Sequence, residues 1–405
     1  MTDDRRLTMA AHPAFYSLAL ARMLSGIAFQ MLIVALGWQL YNLTNSPLDL
    51  GLVGLVSFGP MLIATPLAGL AADTFDRRRI AAITTLVSSV VVLGLAIGTY
   101  QGWTGRAHIF ASVAVLGLVR TFEFPTMSAM VPLTVPREML SQATALYSSA
   151  NQTAVILGPA FGGLLYWLGA WLPYAVAVTI FLIACLAVSR LDLAPQVRRA
   201  EGITRASLSA GLTFIWRTPE LLGALSLDLV AVGLSGAAAL MPVVARDILH
   251  VGPMELGILR AAPAVGALSM AIWLARFPIR NKAGLKMFAG VAGFGLATIV
   301  FGISQSFTLS LLALALLGAA DVISVVVRQS LVQLRTPDEM RGRVGAVNAM
   351  FISASNQLGD FRAGAMAAAF GTGPAVIAGG IAAIAIAALW MRLFPMLTKL
   401  ERPEI

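Results

Sequence analysis

The sequence predicts an all-α membrane protein of twelve spanning helices in two pseudo-symmetric six-helix bundles. Three observations lead there. Apolar residues make up 58% of the 405 residues and charged residues only 12%, about half the charged share of a soluble domain. The apolar residues gather into twelve runs, each reaching or approaching the roughly 20 residues that cross about 30 Å of hydrocarbon. One long charged connection after the sixth run divides them six and six.

In chain order the runs lie near 14–42, 48–72, 80–101, 108–133, 140–168, 172–191, 219–245, 254–275, 284–304, 307–333, 343–369 and 373–397. Gly and Pro recur inside them, as spanning helices tolerate. The opening Met-Thr-Asp-Asp-Arg-Arg has no small-residue cleavage pattern, so the first run is expected to be a retained span. Between runs two and three, Asp73 to Arg79 places five charges in seven residues. With the N-terminus inside, 21 basic residues fall in inside segments and only Arg106 and Arg246 outside. That asymmetry predicts cytoplasmic termini, because Lys and Arg are retained on that side.

The connection from about Asp192 to Arg217 turns amphipathic through Leu208, Leu212, Ile215 and Trp216, which suits a helix lying in the cytoplasmic interface. It sets the expected domains as an N-terminal bundle 1–191, a linker 192–217 and a C-terminal bundle 218–405. The halves also repeat. Pro136-Arg137-Glu138-Met139 and Pro337-Asp338-Glu339-Met340 are 201 residues apart, as are Gly158 and Gly359. Internal symmetry of this kind marks transporters built from repeats, with the site near mid-membrane between them.

Composition narrows function further. The net charge of +9 follows the membrane topology and calls for no nucleic-acid partner. One cysteine, Cys185, and three scattered histidines leave no internal disulfide and no metal-ligand cluster. No cofactor motif and no nucleophile–base spacing is apparent, so an enzyme is not expected.

The charged residues within the runs are Arg22, Arg120, Glu123, Asp228, Arg260, Asp321, Arg328, Asp360 and Arg362. Each would cost roughly 2.5–3.5 kcal/mol at a helix centre, and such residues normally face a cavity or a partner and mark substrate or proton paths. Arg120 maps onto Asp321 by the same 201-residue offset, and Arg22 matches Asp228 in depth. Opposite charges at equivalent places can neutralise one another in one conformation and separate in the other, coupling proton uptake to transport. The competing reading is a fixed pair within one half, such as Arg120 with Glu123 at i,i+3. Arg22 and Arg260 lie within reach of a membrane surface by snorkelling. Carboxylates snorkel poorly, so Glu123, Asp228 and Asp321, with Arg120, are the expected proton-coupling residues. Asp360 and Arg362, two apart, do not share a helix face.

Three motifs carry a resemblance. Gly69 through Asp73 to Arg77, Arg78 and Arg79 resembles the loop 2–3 signature of the major facilitator superfamily, departing at Thr74 and Asp76. Gly158-Pro159-Ala160-Phe161-Gly162-Gly163 resembles the span-five antiporter signature of that superfamily, with Ala145 and Ala154 where glycines are usual. Arg120-Thr-Phe-Glu123 resembles its span-four signature, with Glu123 for Gln and Phe124 for Gly. The opening His12-Pro13-Ala14-Phe15 and the stretch Thr336 to Arg343 look like the enterobactin-exporter and macrolide-efflux branch. The resemblance implies a major facilitator fold, a bacterial inner-membrane location, export against proton influx, and gating roles for Gly69, Asp73, Arg77, Arg78, Gly158, Pro159, Gly162 and Gly163. It implies that Asp73 and Arg77 brace the start of span eleven at Gly342 and Arg343.

The expected substrate cavity involves Arg22, Phe29, Gln30, Trp38, Phe122, Arg328 and Asp360, with Tyr41 and Phe124 as further aromatic candidates. Aromatic surface with few polar handles suits a bulky amphipathic solute. The competing reading for each aromatic residue is packing against lipid or neighbouring helices. The expected partners are therefore a small-molecule substrate, protons and the bilayer, acting on a monomer. The rival functions are proton-independent uptake or facilitation of a nutrient or metal complex, and a non-transporting membrane sensor.

Overall fold

The computed structural model describes residues 12–191 and 205–401. The long helices are α1 (Pro13–Thr44), α2 (Pro47–Thr74), α3 (Arg77–Gln101), α4 (Arg106–Met130), α5 (Leu140–Leu168), α6 (Leu172–Ser189), α7 (Arg205–Arg217), α8 (Pro219–Ser235), α9 (Pro253–Arg276), α10 (Ala283–Ile303), α11 (Phe307–Arg335), α12 (Asp338–Phe370) and α13 (Thr372–Leu393). The protein is all-α, as expected. Among the described residues ten helices are long and apolar enough to cross a membrane, against twelve expected. The two other long helices, α5 with 29 residues and α12 with 33, have the length to span but too much polar surface to qualify by composition. Their interiors hold runs such as Ser148-Ser149-Ala150-Asn151-Gln152-Thr153 and Ser353-Ala354-Ser355-Asn356-Gln357.

Local sequence explains where the helices start and stop. Proline occupies the first turn of α1, α2, α8 and α9, where its missing N–H is not needed. Asp76 caps α3, its carboxylate accepting from the Arg78 amide at 2.9 Å. Gly102 ends α3 in the left-handed region at φ 79°, a conformation that favours glycine. Gly236 ends α8 in the same way at φ 56°. A Cβ there would strike the Gly359 carbonyl, so the break in this span requires glycine twice over. The chain continues past it through a 3-10 turn, Ala237–Leu240, and a π-helical turn, Val244–Ile248.

Two compact units divide the chain. One takes residues 1–39 with 56–203, the other 40–55 with 204–405. The divide therefore runs inside α1 and α2, and the last turn of α1 and the first turns of α2 belong with the second unit. Of the expected linker, 192–204 lies outside the described residues and the remainder is α7. In α7, Ile215 is fully buried in the second unit's core, while Leu212 and Trp216 are exposed. Gly211 brings α7 against α12, where a Cβ would lie 2.8 Å from the Arg343 carbonyl oxygen.

Each unit packs through small residues. In the first, Gly26 faces Ala154, Gly158 faces Ile27 and Gln30, and Gly162 faces Met31. A Cβ on Gly162 would sit 2.8 Å from both the Cα and the carbonyl oxygen of Met31, so α1 and α5 touch backbone to backbone. Van der Waals packing of this kind holds helices together in lipid, where apolar burial between helices gains little. In the second unit Gly359 plays the matching part against α8, 2.9 Å from the Val232 oxygen by the same measure.

Candidate functional site

The in-span charged residues of the first unit, Arg22, Arg120 and Glu123, form one cluster. Glu123 is 2% exposed, inside α4 and far from either helix end. Its carboxylate accepts from the Ser25 hydroxyl of α1 and pairs with Arg120 at 3.2 Å. The i,i+3 spacing puts both side chains on one face of α4. The Arg120 guanidinium also lies 4.7 Å over the Phe29 ring, a favourable cation–π contact. Arg22 is next to this group. It is 1% exposed, donates to Asn151 Oδ1 of α5 at 2.6 Å and lies 4.5 Å over the Phe124 ring. The snorkelling expected for Arg22 is thus corrected: α5 offers an amide within reach, and the guanidinium stays inside. Arg260 likewise turns to protein, donating to the Ala238 carbonyl at 3.1 Å.

Beside Arg22 lies a cavity of about 480 Å³, lined by Arg22, Phe124, Ser128, Tyr147, Ser148 and Asn151 among others. All belong to the first unit. Gln30 packs against Gly158, and Trp38 is buried. Phe29, Gln30, Trp38 and Phe122 line neither this cavity nor the one described next.

The second unit holds a cavity of about 430 Å³ with Asp228, Asp321, Arg328, Gln329, Asn356 and Asp360 in its wall. Arg328 forms an ion pair with Asp228. Asp360 lies near the Ala239 amide and the Arg260 guanidinium. Asp321 has no hydrogen bond or ion pair among the described residues. The arrangement brings together Asp228, Asp321, Arg328 and Asp360 here, and Arg22, Arg120, Glu123 and Phe29 in the first unit.

At the α2–α3 connection, Arg77 donates to the Ala129 carbonyl at 3.0 Å and Arg78 to the Leu191 carbonyl at 2.9 Å. Both acceptors close helices, α4 and α6, where a cation meets the negative end of the dipole. The Asp73 side chain lies outside the described residues. Gly69 sits in the closing turns of α2. Gly158, Pro159, Gly162 and Gly163 are all buried, the first and third in the α1–α5 seam.

Sequence reasoning missed the uncharged partners: Ser25, Asn151 and Tyr147. Ser25 follows Arg22 by three positions, and Asn151 lies in the polar stretch Ser148 to Thr153 inside span five, so a search for polar residues at matching depth would have found both. It also missed a set where α1 meets the end of the α8 span. There Tyr41 donates to Asp247, and Arg246 lies 4.1 Å over the Tyr41 ring and bonds Asn42 and Asn45.

A sequence profile described as transmembrane secretion effector matches residues 7–402. The chain belongs to this family of the major facilitator superfamily. Among the relatives of this chain, the enterobactin exporter EntS of Citrobacter koseri is 26% identical over 401 residues, covering 98% of this chain and 95% of that protein. The enterobactin exporter EntS of Shigella boydii serotype 18 is 27% identical over 341 residues, covering 84% and 82%. Two solved structures share the fold. A bacterial homologue of the human lysosomal transporter Spinster, inward-facing and unoccupied, aligns with a TM-score of 0.76 at 14% identity, covering 95% of this chain and 97% of that one. A D-xylose–proton symporter aligns at 0.74 and 14%, covering 94% and 98%. The chain is thus a multi-pass membrane transporter of major facilitator fold.

Proposed function

We propose that this transporter exports an amphipathic, siderophore-like small molecule across the bacterial inner membrane by proton antiport with alternating access, as a monomer with both termini cytoplasmic. Export of such a molecule is suggested by the relatives named enterobactin exporter. The observation that carries proton exchange is the buried carboxylate set: Glu123 held by Arg120 and Ser25 in one unit, Asp228 and Asp321 at a cavity in the other. Carboxylates at membrane depth are expensive and are retained where they move protons or bind solute. Asp321 can take a proton without breaking an ion pair, whereas Glu123 and Asp228 must release an arginine to do so.

The rival, proton-independent facilitation or uptake, draws on the same pairs. Arg120–Glu123 and Arg328–Asp228 can be fixed structural bonds. Proteoliposomes with an imposed pH gradient separate the two, using lipophilic cations, macrolides and catecholate siderophores as solutes. Antiport gives proton flux that appears only with solute and is lost in Asp321→Asn and Glu123→Gln proteins that still insert. Solute movement without proton flux makes the protein a facilitator.

A further inference from the structure

We propose that the cavity beside Arg22 is a subsite for an anionic oxygen group, a carboxylate or phenolate, carried on an aromatic ring. The inference rests on the transporter reading for its biological meaning, and on geometry for the binding itself. Arg22 is 1% exposed, yet its Nε and one terminal nitrogen have no hydrogen-bond partner among the described residues. Its other terminal nitrogen bonds the neutral amide of Asn151, so no carboxylate neutralises it. A buried guanidinium with free donors is costly unless an acceptor arrives, and an anionic oxygen accepts the charge-assisted hydrogen bonds such donors give.

Other features of the same wall point the same way. Tyr147, a residue 8% exposed, sets its buried hydroxyl beside the Ser128 side chain, so a donor stands in the same wall. The face of Phe124 lies under the guanidinium, and 49% of that residue is exposed, leaving ring surface on which an aromatic group can stack. Nearby Arg120 is already paired with Glu123, so the local balance is one uncompensated positive charge. Thr144, Tyr147, Ser148, Asn151 and Gln152 fall at helical spacing on α5 and line the cavity together. A volume near 480 Å³ lies within the roughly 300–1,000 Å³ of small-molecule sites. The second unit's cavity has the opposite character, with three aspartates to one arginine in its wall, and would repel the same ligand.

The test uses the purified full-length protein in neutral detergent, without anionic lipid and without a gradient, titrated with salicylate, 2-naphthoate and benzylamine by calorimetry. The aromatic acids are expected to bind and benzylamine not to. Arg22→Gln, which removes the charge and keeps a polar amide, should weaken the acids at least tenfold. Tyr147→Phe, which removes one oxygen atom only, should weaken them several-fold, and Arg276→Gln, on an exposed side chain, should change nothing. Thermal melting of each variant checks folding. The proposal is overturned by equal affinity in Arg22→Gln and wild type, by benzylamine binding as tightly, or by no binding of either acid. Loss of solute-driven proton flux in liposomes with acid binding intact would sink antiport and leave the subsite standing.

Discussion

The Asp228–Arg328 pair permits a stability prediction worked from geometry. The Arg328 side chain is 4% exposed and that of Asp228 14%. Removing one partner of a buried pair costs about 3–5 kcal/mol, because the other charge is left uncompensated. Asp228→Asn strands the guanidinium, which is the more deeply buried of the two and has an Nε already without a partner. It should fall at the upper end of that range. Arg328→Met strands a carboxylate at a cavity wall, where water can reach it, and should fall at the lower end. The double variant strands no charge, only a neutral amide at the cavity wall, and should lie within about 1 kcal/mol of wild type, since replacing a buried pair whole costs far less than breaking it. With losses of about 5 and 3 kcal/mol for the single variants, the cycle thus predicts a coupling of about 7–9 kcal/mol between the two sites. Reversible unfolding in mixed detergent micelles, followed by tryptophan fluorescence, reads all four proteins. Additive losses, with the double variant the least stable, would show that the pair is not what compensates these charges and would refute the reasoning.

The α1–α5 seam should be intolerant of volume. Gly162→Ala places a methyl 2.8 Å from Met31 backbone atoms and should destabilise by about 1–3 kcal/mol through overpacking. Gly345→Ala, with nothing within 4 Å of the new methyl, should be neutral or stabilise by about 0.4–1 kcal/mol through the unfolded chain; melting temperatures compare the two directly. Asp76→Ala should lose about 1 kcal/mol of helix capping and Asp76→Ser very little. Its ion pairs with Arg78 at 4.0 Å and Arg79 at 3.7 Å are partly exposed and should add almost nothing. Unequal salt sensitivity of the two variants would show that estimate to be wrong. Arg246→Ala deletes bonds to Asp247 at 2.8 Å and Asn45 at 2.7 Å and should speed amide exchange across residues 40–48, read by mass spectrometry. Unchanged protection would mean that turn is held by its backbone alone.

How much of this was legible depended on which coordinate the argument needed. Spanning helices are one-dimensional signals, so the apolar runs located them. α5 and α12 fell short because their polar stripes dilute the hydropathy that identifies a span. Depth in the membrane is also one-dimensional, and it picks out Arg22, Arg120, Glu123, Asp228 and Asp321 as charges within spans, though not that Arg22 stays inside; of the five, Arg22 and Glu123 are fully buried. Partnership needs the angle around the helix as well. Arg120 with Glu123 was readable because both sit on one helix at i,i+3. Arg22 and Asp228 were matched by depth, yet Arg22 turns to Asn151 and Asp228 to Arg328, contacts between helices whose mutual rotation no sequence pattern states. The glycines of 158–163 were readable as a close-packing face, but not that Met31, Ile27 and Gln30 would fill it.

The same geometry says what the motif at span five contributes. Gly158 and Gly162 bring α5 onto α1 at van der Waals distance, and that approach is what lets Asn151, two helical turns before Gly158, reach Arg22. Ser25, on the same helix as Arg22, simultaneously reaches Glu123 of α4. Three helices are therefore tied at one level by two bonds, Arg22 to the Asn151 amide and the Ser25 hydroxyl to Glu123, with one guanidinium left partly unbonded. A larger residue in the seam would push α5 from α1 and lengthen the Arg22–Asn151 bond before it touched any charged residue. The glycine motif and the charged cluster, which look like separate signals along the chain, act as one device. Close packing sets the distance at which polar groups in a low-dielectric interior can find each other, and the span-five glycines set that distance here.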